Sequence, residues 1–195
     1  MRGARKEVSA LVLAPGASAG RDQSALVAID DAVAVHGLRV ERIDFPYRLA
    51  GRRAPDRQSV LVASVAAAAR RLADDLGVSQ DRVALGGRSM GGRVCSIAVA
   101  EGLPAAALVL VSYPLHPPGK PDKLRVEHFG AITVPCLFVS GTRDQFATPD
   151  ELEAATASIA GPVTHVFCEN GDHGLRRRDE QVAAIVASWV LALRR

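Results

Sequence analysis

From end to end, the sequence alternates between short runs of apolar and β-branched residues and longer segments of helical periodicity. The apolar runs predict strands at residues 8–13, 38–44, 82–85, 106–111, 135–140 and 163–168. The periodic segments predict helices at about 23–36, 57–76, 90–101, 149–160 and 179–193. This order is typical of an α/β fold with a mostly parallel sheet, here of about six strands, flanked by helices.

The apolar runs are almost unbroken, as in the sequence Ala-Ala-Leu-Val-Leu-Val at 106–111. Strands of this kind are buried on both faces, and binding sites of such sheets lie at the carboxyl ends of the strands. Two segments, 46–56 and 112–134, interrupt the alternation, and the second contains four prolines. Because long irregular loops are usually functional, we expect 45–55 and 112–134 to form the walls of a binding site.

With 195 residues and 48% hydrophobic content, the chain is large enough for one well-packed domain, which we place at 1–195. Cys95, Cys136 and Cys168 are widely spaced in apolar runs, which favours buried thiols in a reducing, cytoplasmic compartment over disulfides or a metal site. The first residues mimic a secretory signal, but the apolar stretch 8–14 is short and forms the first predicted strand. We therefore expect it to be retained, and no segment approaches the length of a transmembrane helix.

The net charge of +3 permits a nucleic-acid partner. The arginines, however, are interleaved with acidic residues and are not accompanied by stacking aromatic residues. We therefore expect a mixed, solvated surface and neither a nucleic-acid nor a membrane partner. Local anion sites at Arg52 and Arg53, or at residues 176–178, stay open.

The segment Gly-Gly-Arg-Ser-Met-Gly-Gly at 86–92 contains the pattern G-x-S-x-G around Ser89. It lies between a predicted strand and a predicted helix, which is the setting of a nucleophile elbow. In such a turn the serine is strained, and small neighbours let strand and helix approach each other. A phosphate-binding glycine loop is the alternative, but the P-loop lysine pattern and the G-x-G-x-x-G spacing are both missing.

A nucleophilic serine needs a base and an acid, here in the chain order serine, acid, histidine. Asp144 and His173 each follow a predicted strand by a short turn, so both are expected at the same edge of the sheet as the serine. His173 is the candidate base and Asp144 the candidate acid, with Asp172 as the runner-up acid. His165, inside a strand, and His36, at a helix end, are expected to have structural roles.

Acyl transfer also needs hydrogen-bond donors for the developing oxyanion. The backbone N–H of Met90, directly after the serine, is one candidate. The loop 15–20, after the first strand, is expected to supply the other through Ala17, with Gly16 allowing the turn. An ordinary strand-to-helix connection is the alternative interpretation of this loop.

Several stretches together resemble a family of small α/β-hydrolase-like proteins related to dienelactone hydrolases. This family includes testis-expressed protein thirty and the hydrolase-like domain of an NSL histone-acetyltransferase complex subunit. The proline-rich stretch is the most specific, and the matching stretches are distributed over nearly the whole length of the chain: 13–17, 44–47, 86–93, 113–121 with 124–128, 141–144 and 171–173. The resemblance implies an α/β-hydrolase fold without a large lid, with Ser89, Asp144 and His173 at the positions of a catalytic triad.

The chain departs from this family in the loop after the first strand, where Pro15 stands in place of a frequent histidine. The backbone donor of the loop does not depend on that side chain. Dienelactone hydrolases use a cysteine nucleophile, whereas the elbow position here is Ser89. Cys95 lies further along the next helix, where a buried structural thiol is expected.

Together these features predict a serine hydrolase of esterase or thioesterase type that cleaves a small acyl compound through an acyl-serine intermediate. No metal or other cofactor is expected, because the sequence has no H-E-x-x-H pair or clustered histidine and cysteine ligands. Arg88, His116, Lys120 and Arg125 are candidates for binding an anionic substrate. The alternative is a binding or scaffold protein that keeps the fold without turnover, as some relatives are assembly components.

Overall fold

The computed structural model describes residues 7–194, in which six strands alternate with α-helices. The strands are β1 (Ala10–Ala14), β2 (Arg39–Arg42), β3 (Val83–Arg88), β4 (Leu108–Val111), β5 (Cys136–Gly141) and β6 (Val163–Cys168). The helices are α1 (Ser24–Ala34), α2 (Pro46–Leu49), α3 (Gln58–Leu76), α4 (Met90–Ala100), α5 (Pro149–Thr156) and α6 (Asp179–Ala192). The basic residues at 2, 5 and 6, part of the signal-like segment, lie outside the described residues.

All six strands are parallel and form one sheet in the order β2-β1-β3-β4-β5-β6. The predicted α/β class is therefore confirmed. Because the strands are parallel, all their carboxyl ends lie at one edge of the sheet, where the connections to the following helices begin. In the centre of the sheet, Ala14 lies opposite Gly87 and Arg88 lies opposite Val111.

The near-continuous apolar runs of β1, β4 and β5 reflect a sheet whose centre is buried on both faces, whereas the edge strands β2 and β6 are partly exposed. In β4, Leu108 and Leu110 belong to a core that includes residues of α3 and α4, whereas Val109 and Val111 belong to a second core with residues of α1 and α6. Successive side chains point to opposite faces, so each face needs its own apolar residues. This is why the strand has no polar positions.

The predicted and observed elements differ mainly at their ends. Strand β3 was expected to end at residue 85, but it continues through Gly86 and Gly87 to Arg88 because both glycines pair with neighbouring strands. Helix α5 ends at Thr156, short of the predicted residue 160, and Gly161 and Pro162 follow it before β6. The prediction of an irregular segment at 46–56 was wrong for its first residues, which form the short helix α2 with a proline at its start.

The three cysteine thiols are buried and free, as expected from their apolar surroundings. Among residues 7–194, no helix combines the length and the apolar composition needed to cross a bilayer.

Phe138 tests the packing between the sheet and the loop that follows β4. Its fully buried ring on β5 contacts the rings of Tyr113 and Phe129. We expect Phe138→Ala to lower the free energy of unfolding by about 3–5 kcal/mol, because it removes apolar contact and leaves a cavity. Urea denaturation measures the change, and Val35→Ala, at a 79% exposed position, is the control expected to stay within about 0.5 kcal/mol. An equal effect of the two substitutions would contradict this interpretation.

Candidate active site

Ser89 lies in the tight turn between β3 and α4, as the sequence pattern predicts. Its backbone has φ 51° and ψ −117°, a conformation that residues with a side chain rarely adopt. Hydrogen bonds fix the turn on both sides: the Ser89 N–H donates to the Val111 carbonyl at 2.8 Å, and the Ser89 carbonyl accepts from Arg93 at 3.1 Å. These contacts compensate a conformational strain of about 1–3 kcal/mol and hold the hydroxyl at the sheet edge.

Two glycines allow this turn to lie directly against the end of β1. A Cβ atom at Gly87 or at Gly91 would collide with the carbonyl oxygen of Ala14. Since the colliding group is backbone, it has no side-chain freedom with which to move away. Both glycines are therefore required because the turn lies so close to the backbone of β1. Their small size allows the loop after β1 to lie beside the amino terminus of α4.

The structure brings together Ser89, His173 and Asp144 in one hydrogen-bonded chain. His173 Nε2 lies 2.9 Å from Ser89 Oγ, and His173 Nδ1 lies 2.8 Å from Asp144 Oδ2 and 3.0 Å from Oδ1. Because a carboxylate only accepts, Nδ1 carries the proton and Nε2 is left to accept from the serine hydroxyl. The acid side chain is fully buried, while the His173 side chain is 19% exposed.

The loops after β5 and β6 hold the acid and the histidine in register. The Phe146 N–H donates to Asp144 Oδ1 at 2.9 Å, so the buried carboxylate has a backbone donor in addition to the imidazole. The Arg143 N–H donates to the Gly171 carbonyl at 2.8 Å, which joins the two loops. The Phe146 ring also contacts the His173 ring, with centroids 4.1 Å apart.

Arg88 links the serine turn to the histidine loop. Its Nη2 donates to the His173 carbonyl at 2.8 Å. Desolvation lowers the pKa of this guanidinium, while the carboxylates of Asp179, Asp144 and Asp172 oppose that shift. We predicted that Arg88 binds substrate, but its side chain is bonded within the protein, and this hydrogen bond helps to orient His173.

The loop after β1 is held by two side chains. Gln23 Oε1 accepts from the Gly16 N–H at 3.0 Å, and the Tyr47 hydroxyl donates to the Ala17 carbonyl at 2.6 Å. The Gly16 N–H is therefore engaged, which leaves the next one, of Ala17, as the candidate oxyanion donor of this loop. Met90, the other candidate, is the first residue of α4.

The remaining predicted anion-binding residues lie in the segment 112–134. His116 is buried, with Nδ1 2.9 Å from the Pro117 carbonyl oxygen and Nε2 3.4 Å from a carboxylate oxygen of Glu151. Arg125 is half-buried and contacts the Pro114 carbonyl at 3.5 Å, while Lys120 is exposed. The structure therefore gives His116 an anchoring position between this segment and α5.

The residues that the sequence offers as alternatives to Asp144 and His173 lie in different surroundings. Asp172, the runner-up acid, is exposed, and His173 Nδ1 is bonded to Asp144 instead. His165 packs in β6 between the rings of Phe138 and Phe167, and its Nε2 lies 2.9 Å from the hydroxyl of Thr156.

A second serine and histidine pair, Ser96 and His128, lies inside the protein. Ser96 Oγ is 2.8 Å from His128 Nε2 and donates to the Arg93 carbonyl at 2.8 Å. Ser96 is completely buried in α4, and no carboxylate within residues 7–194 bonds to His128. Burial and, next, the charge of Arg93 lower the pKa of His128 to about 4, so this imidazole is a neutral structural group.

Cys95 has the properties of a structural thiol. It is completely buried, and its Sγ donates to the Gly86 carbonyl at 3.2 Å. Burial raises the pKa of the thiol to about 12, so it carries no thiolate at neutral pH.

Three residues that support this arrangement had no assigned role in the sequence prediction. The side chains of Gln23 and Tyr47 bond to the loop after β1, and Phe146 bonds to Asp144 through its backbone N–H and contacts His173 with its ring. The stretch Asp-Phe-Pro-Tyr at 44–47 did signal Tyr47 as part of a family motif. Its contact with a residue 30 positions earlier follows only from the tertiary structure.

Comparisons with known proteins agree with the observed fold. The model of a family described as "Alpha/beta hydrolase domain" matches residues 7–191. An alpha-beta serine hydrolase homologue from Coxiella burnetii superposes with a TM-score of 0.75 at 19% identity, covering 96% of this chain and 86% of the other. A dienelactone hydrolase from Anabaena variabilis gives a TM-score of 0.75 at 18% identity, with 95% and 87% coverage. Est1E from Butyrivibrio proteoclasticus gives 0.76 at 15% identity, with 98% and 90% coverage.

The His128 pKa generates a prediction for stability. Because this pKa is lower in the folded protein, at about 4, than its ordinary 6.5, the unfolded chain binds more protons between these values. The free energy of unfolding should therefore fall as the pH decreases through this window, by about 1 kcal/mol from neutral pH to about pH 5 after allowance for partial solvent exposure. Urea denaturation at both pH values measures it for the wild type and for His128→Gln, which lacks the titrating group. An identical pH dependence of the two proteins would refute the assignment.

Proposed function

We propose that this chain, which belongs to the alpha/beta hydrolase domain family, is a serine hydrolase that cleaves a small ester, thioester or related acyl compound. The observation that carries the proposal is the hydrogen-bonded chain from Ser89 through His173 to Asp144. In this arrangement the serine hydroxyl faces a neutral nitrogen that can take its proton, and the imidazolium that results lies against a buried carboxylate.

In the first half of the proposed reaction, Ser89 Oγ attacks the carbonyl carbon of the substrate while His173 Nε2 takes the hydroxyl proton. The carbonyl π bond opens to a tetrahedral oxyanion. This intermediate then collapses, the bond to the leaving group breaks, and His173 returns the proton to the departing alkoxide or thiolate. The products are a free alcohol or thiol and an acyl-Ser89 ester.

In the second half, a water molecule attacks the acyl carbon and gives one proton to His173. The second tetrahedral intermediate collapses with the proton returned to Ser89 Oγ, which releases the carboxylic acid and restores the enzyme. Asp144 accepts from His173 Nδ1 throughout and stabilises the imidazolium in both halves. Every step uses groups of this chain, so the proposed reaction requires no metal or organic cofactor.

We assign the stabilisation of the oxyanion in both intermediates to hydrogen bonds from the backbone N–H groups of Ala17 and Met90. The former is supported by the hydrogen bonds of Gln23 and Tyr47, which fix the loop on either side of the donor. The latter follows the nucleophile directly and opens α4, where the partial positive charge of the helix end adds to the stabilisation.

We also propose kinship with the subgroup that includes testis-expressed protein thirty and the NSL-complex subunit, on the basis of the proline-rich segment at 113–121. A cytoplasmic location is proposed from the three buried, free thiols.

The decisive experiment is labelling with a fluorescent fluorophosphonate, which phosphonylates activated serines. We expect the wild type to be labelled and Ser89→Ala and His173→Ala to be unlabelled, with Asp144→Asn slower by about 10³-fold or more because the imidazole loses its orienting carboxylate. Ser96→Ala is the matched control, since it removes the other serine that bonds to a histidine, and it should label like the wild type. A folded wild type that resists both this probe and a smaller one would support the scaffold alternative.

Tyr47 provides a test of the oxyanion loop. Tyr47→Phe removes the hydrogen bond to the Ala17 carbonyl, and we expect kcat for a 4-nitrophenyl ester to fall about tenfold, a fraction of the loss for a missing oxyanion donor. Tyr113→Phe is the control, because its hydroxyl donates to the Arg125 carbonyl at 3.1 Å, outside this loop, and kcat should stay within about twofold. Equal losses in the two variants would indicate general destabilisation and count against the assigned role.

A further inference from the structure

A cleft of about 390 Å³ opens beside the candidate oxyanion loop. Its lining has two walls: Ala17 and Ser18 belong to the loop after β1, and Arg48 and Arg53 belong to α2 and the residues that follow it. We call it the arginine cleft. Because Ala17 belongs both to this cleft and to the proposed oxyanion site, the cleft adjoins the position proposed for the substrate carbonyl.

The cations of the arginine cleft are available for a ligand. Within residues 7–194, neither Arg48 nor Arg53 has an ion-pair partner. The neighbouring Arg52, in contrast, is bound to Asp56 at 2.7 Å. In the part of the chain that the structure describes, no acidic residue lines the cleft, so the two arginines give this space a positive potential.

Two carboxylates, those of Asp56 and Asp44, act electrostatically on Tyr47, the neighbour of Arg48 in the sequence. Asp56 Oδ1 bonds to Arg52, and Asp44 Oδ1 accepts from the Arg21 N–H at 2.8 Å. Within residues 7–194, neither acid forms an ion pair with Arg48 or Arg53.

The two walls of the cleft are held at a fixed separation. Arg48 lies in α2 next to the fully buried Tyr47, whose hydroxyl donates to the Ala17 carbonyl on the opposite wall at 2.6 Å. The Arg52 N–H donates to the Tyr47 carbonyl at 2.8 Å, which keeps the chain leading to Arg53 against the same anchor. A preorganised cleft of this kind binds without the cost of ordering a loop.

We propose that the arginine cleft binds an anionic group, a carboxylate or a phosphate, carried by the acyl substrate. The proposal rests on the proposed hydrolase function and assigns its substrate class. It places the anion site at Arg48 and Arg53, in the first irregular segment, instead of at Arg88 and His116, which have intramolecular partners.

The test compares two esters that differ in one charge, mono-4-nitrophenyl glutarate and 4-nitrophenyl pentanoate. The wild type should favour the glutarate in kcat/KM. Arg48→Gln and Arg53→Gln should each reduce this preference about three- to fivefold, and the double variant about tenfold, as expected for solvent-exposed charge pairs. Arg70→Gln, an exposed arginine on α3 outside the cleft, is the matched control and should keep the wild-type preference.

A second pair of substrates identifies the source of the anion. Acetyl-coenzyme A carries phosphates on its leaving group, whereas S-acetylpantetheine carries none. If the arginine variants lose the preference only between the two nitrophenyl esters, the bound anion is a carboxylate on the acyl arm. If they lose it only between the two thioesters, the bound anion is a phosphate of the leaving group. Preferences that change by less than twofold in both pairs overturn the proposal.

Binding measurements test the anion site independently of the proposed hydrolase function. The dissociation constants of the two nitrophenyl esters are measured by NMR titration of Ser89→Ala, alone and combined with Arg48→Gln and Arg53→Gln. Tighter binding of the glutarate that is lost in the combined variant supports the anion site even if the wild type hydrolyses nothing. Equal binding of both esters to Ser89→Ala overturns it, whatever the fate of the hydrolase function.

Discussion

The arrangement at the sheet edge depends on one close contact between backbones, that of the Ser89 turn with the carbonyl of Ala14. Gly87 and Gly91 make it possible because neither has a Cβ atom to separate the chains. The contact fixes three things together: the strained serine, the amino terminus of α4 and the loop that carries Ala17. A single methyl group at either glycine would push the nucleophile and its proposed oxyanion donor apart.

The parallel sheet brings the residues of the site together because it aligns the carboxyl ends of three strands. Ser89, Asp144 and His173 follow β3, β5 and β6, which are brought into register by the parallel pairing of β3, β4, β5 and β6. Hydrogen bonds between the loops complete the alignment, through Arg143 to Gly171 and through Arg88 to the His173 carbonyl. The hydroxyl of Tyr47 bonds to the loop of the proposed oxyanion donor, and the same loop lines the arginine cleft, so the proposed chemistry and the proposed substrate recognition share this contact.

The central strands could be predicted from the sequence because burial on both faces leaves unbroken apolar runs, and the helices between the strands indicate parallel pairing. The elbow was readable because its glycines serve a steric need that few other turns have. The partners of Arg88 and His116 could not be predicted, since a polar side chain has the same sequence signature whether it binds a substrate or a carbonyl of its own chain. For Arg88 that carbonyl is 85 residues away. The length of β3 was also underestimated. Glycine usually signals a turn, but Gly86 and Gly87 permit close strand pairing in β3.

The order of the strands has a consequence for how the protein becomes competent during synthesis. His173 meets Ser89 across 84 residues of sequence and Asp144 across 29, and it follows β6, the edge strand that is last in both sequence and sheet order. A nascent chain that has paired only β1 to β5 contains the Ser89 turn and Asp144 but lacks the imidazole that bonds to both in the folded protein. Contacts of long sequence separation carry a large loop-closure cost, so the proposed activation of the serine hydroxyl requires that β6 and the loop after it have left the ribosome and docked on the edge of the sheet.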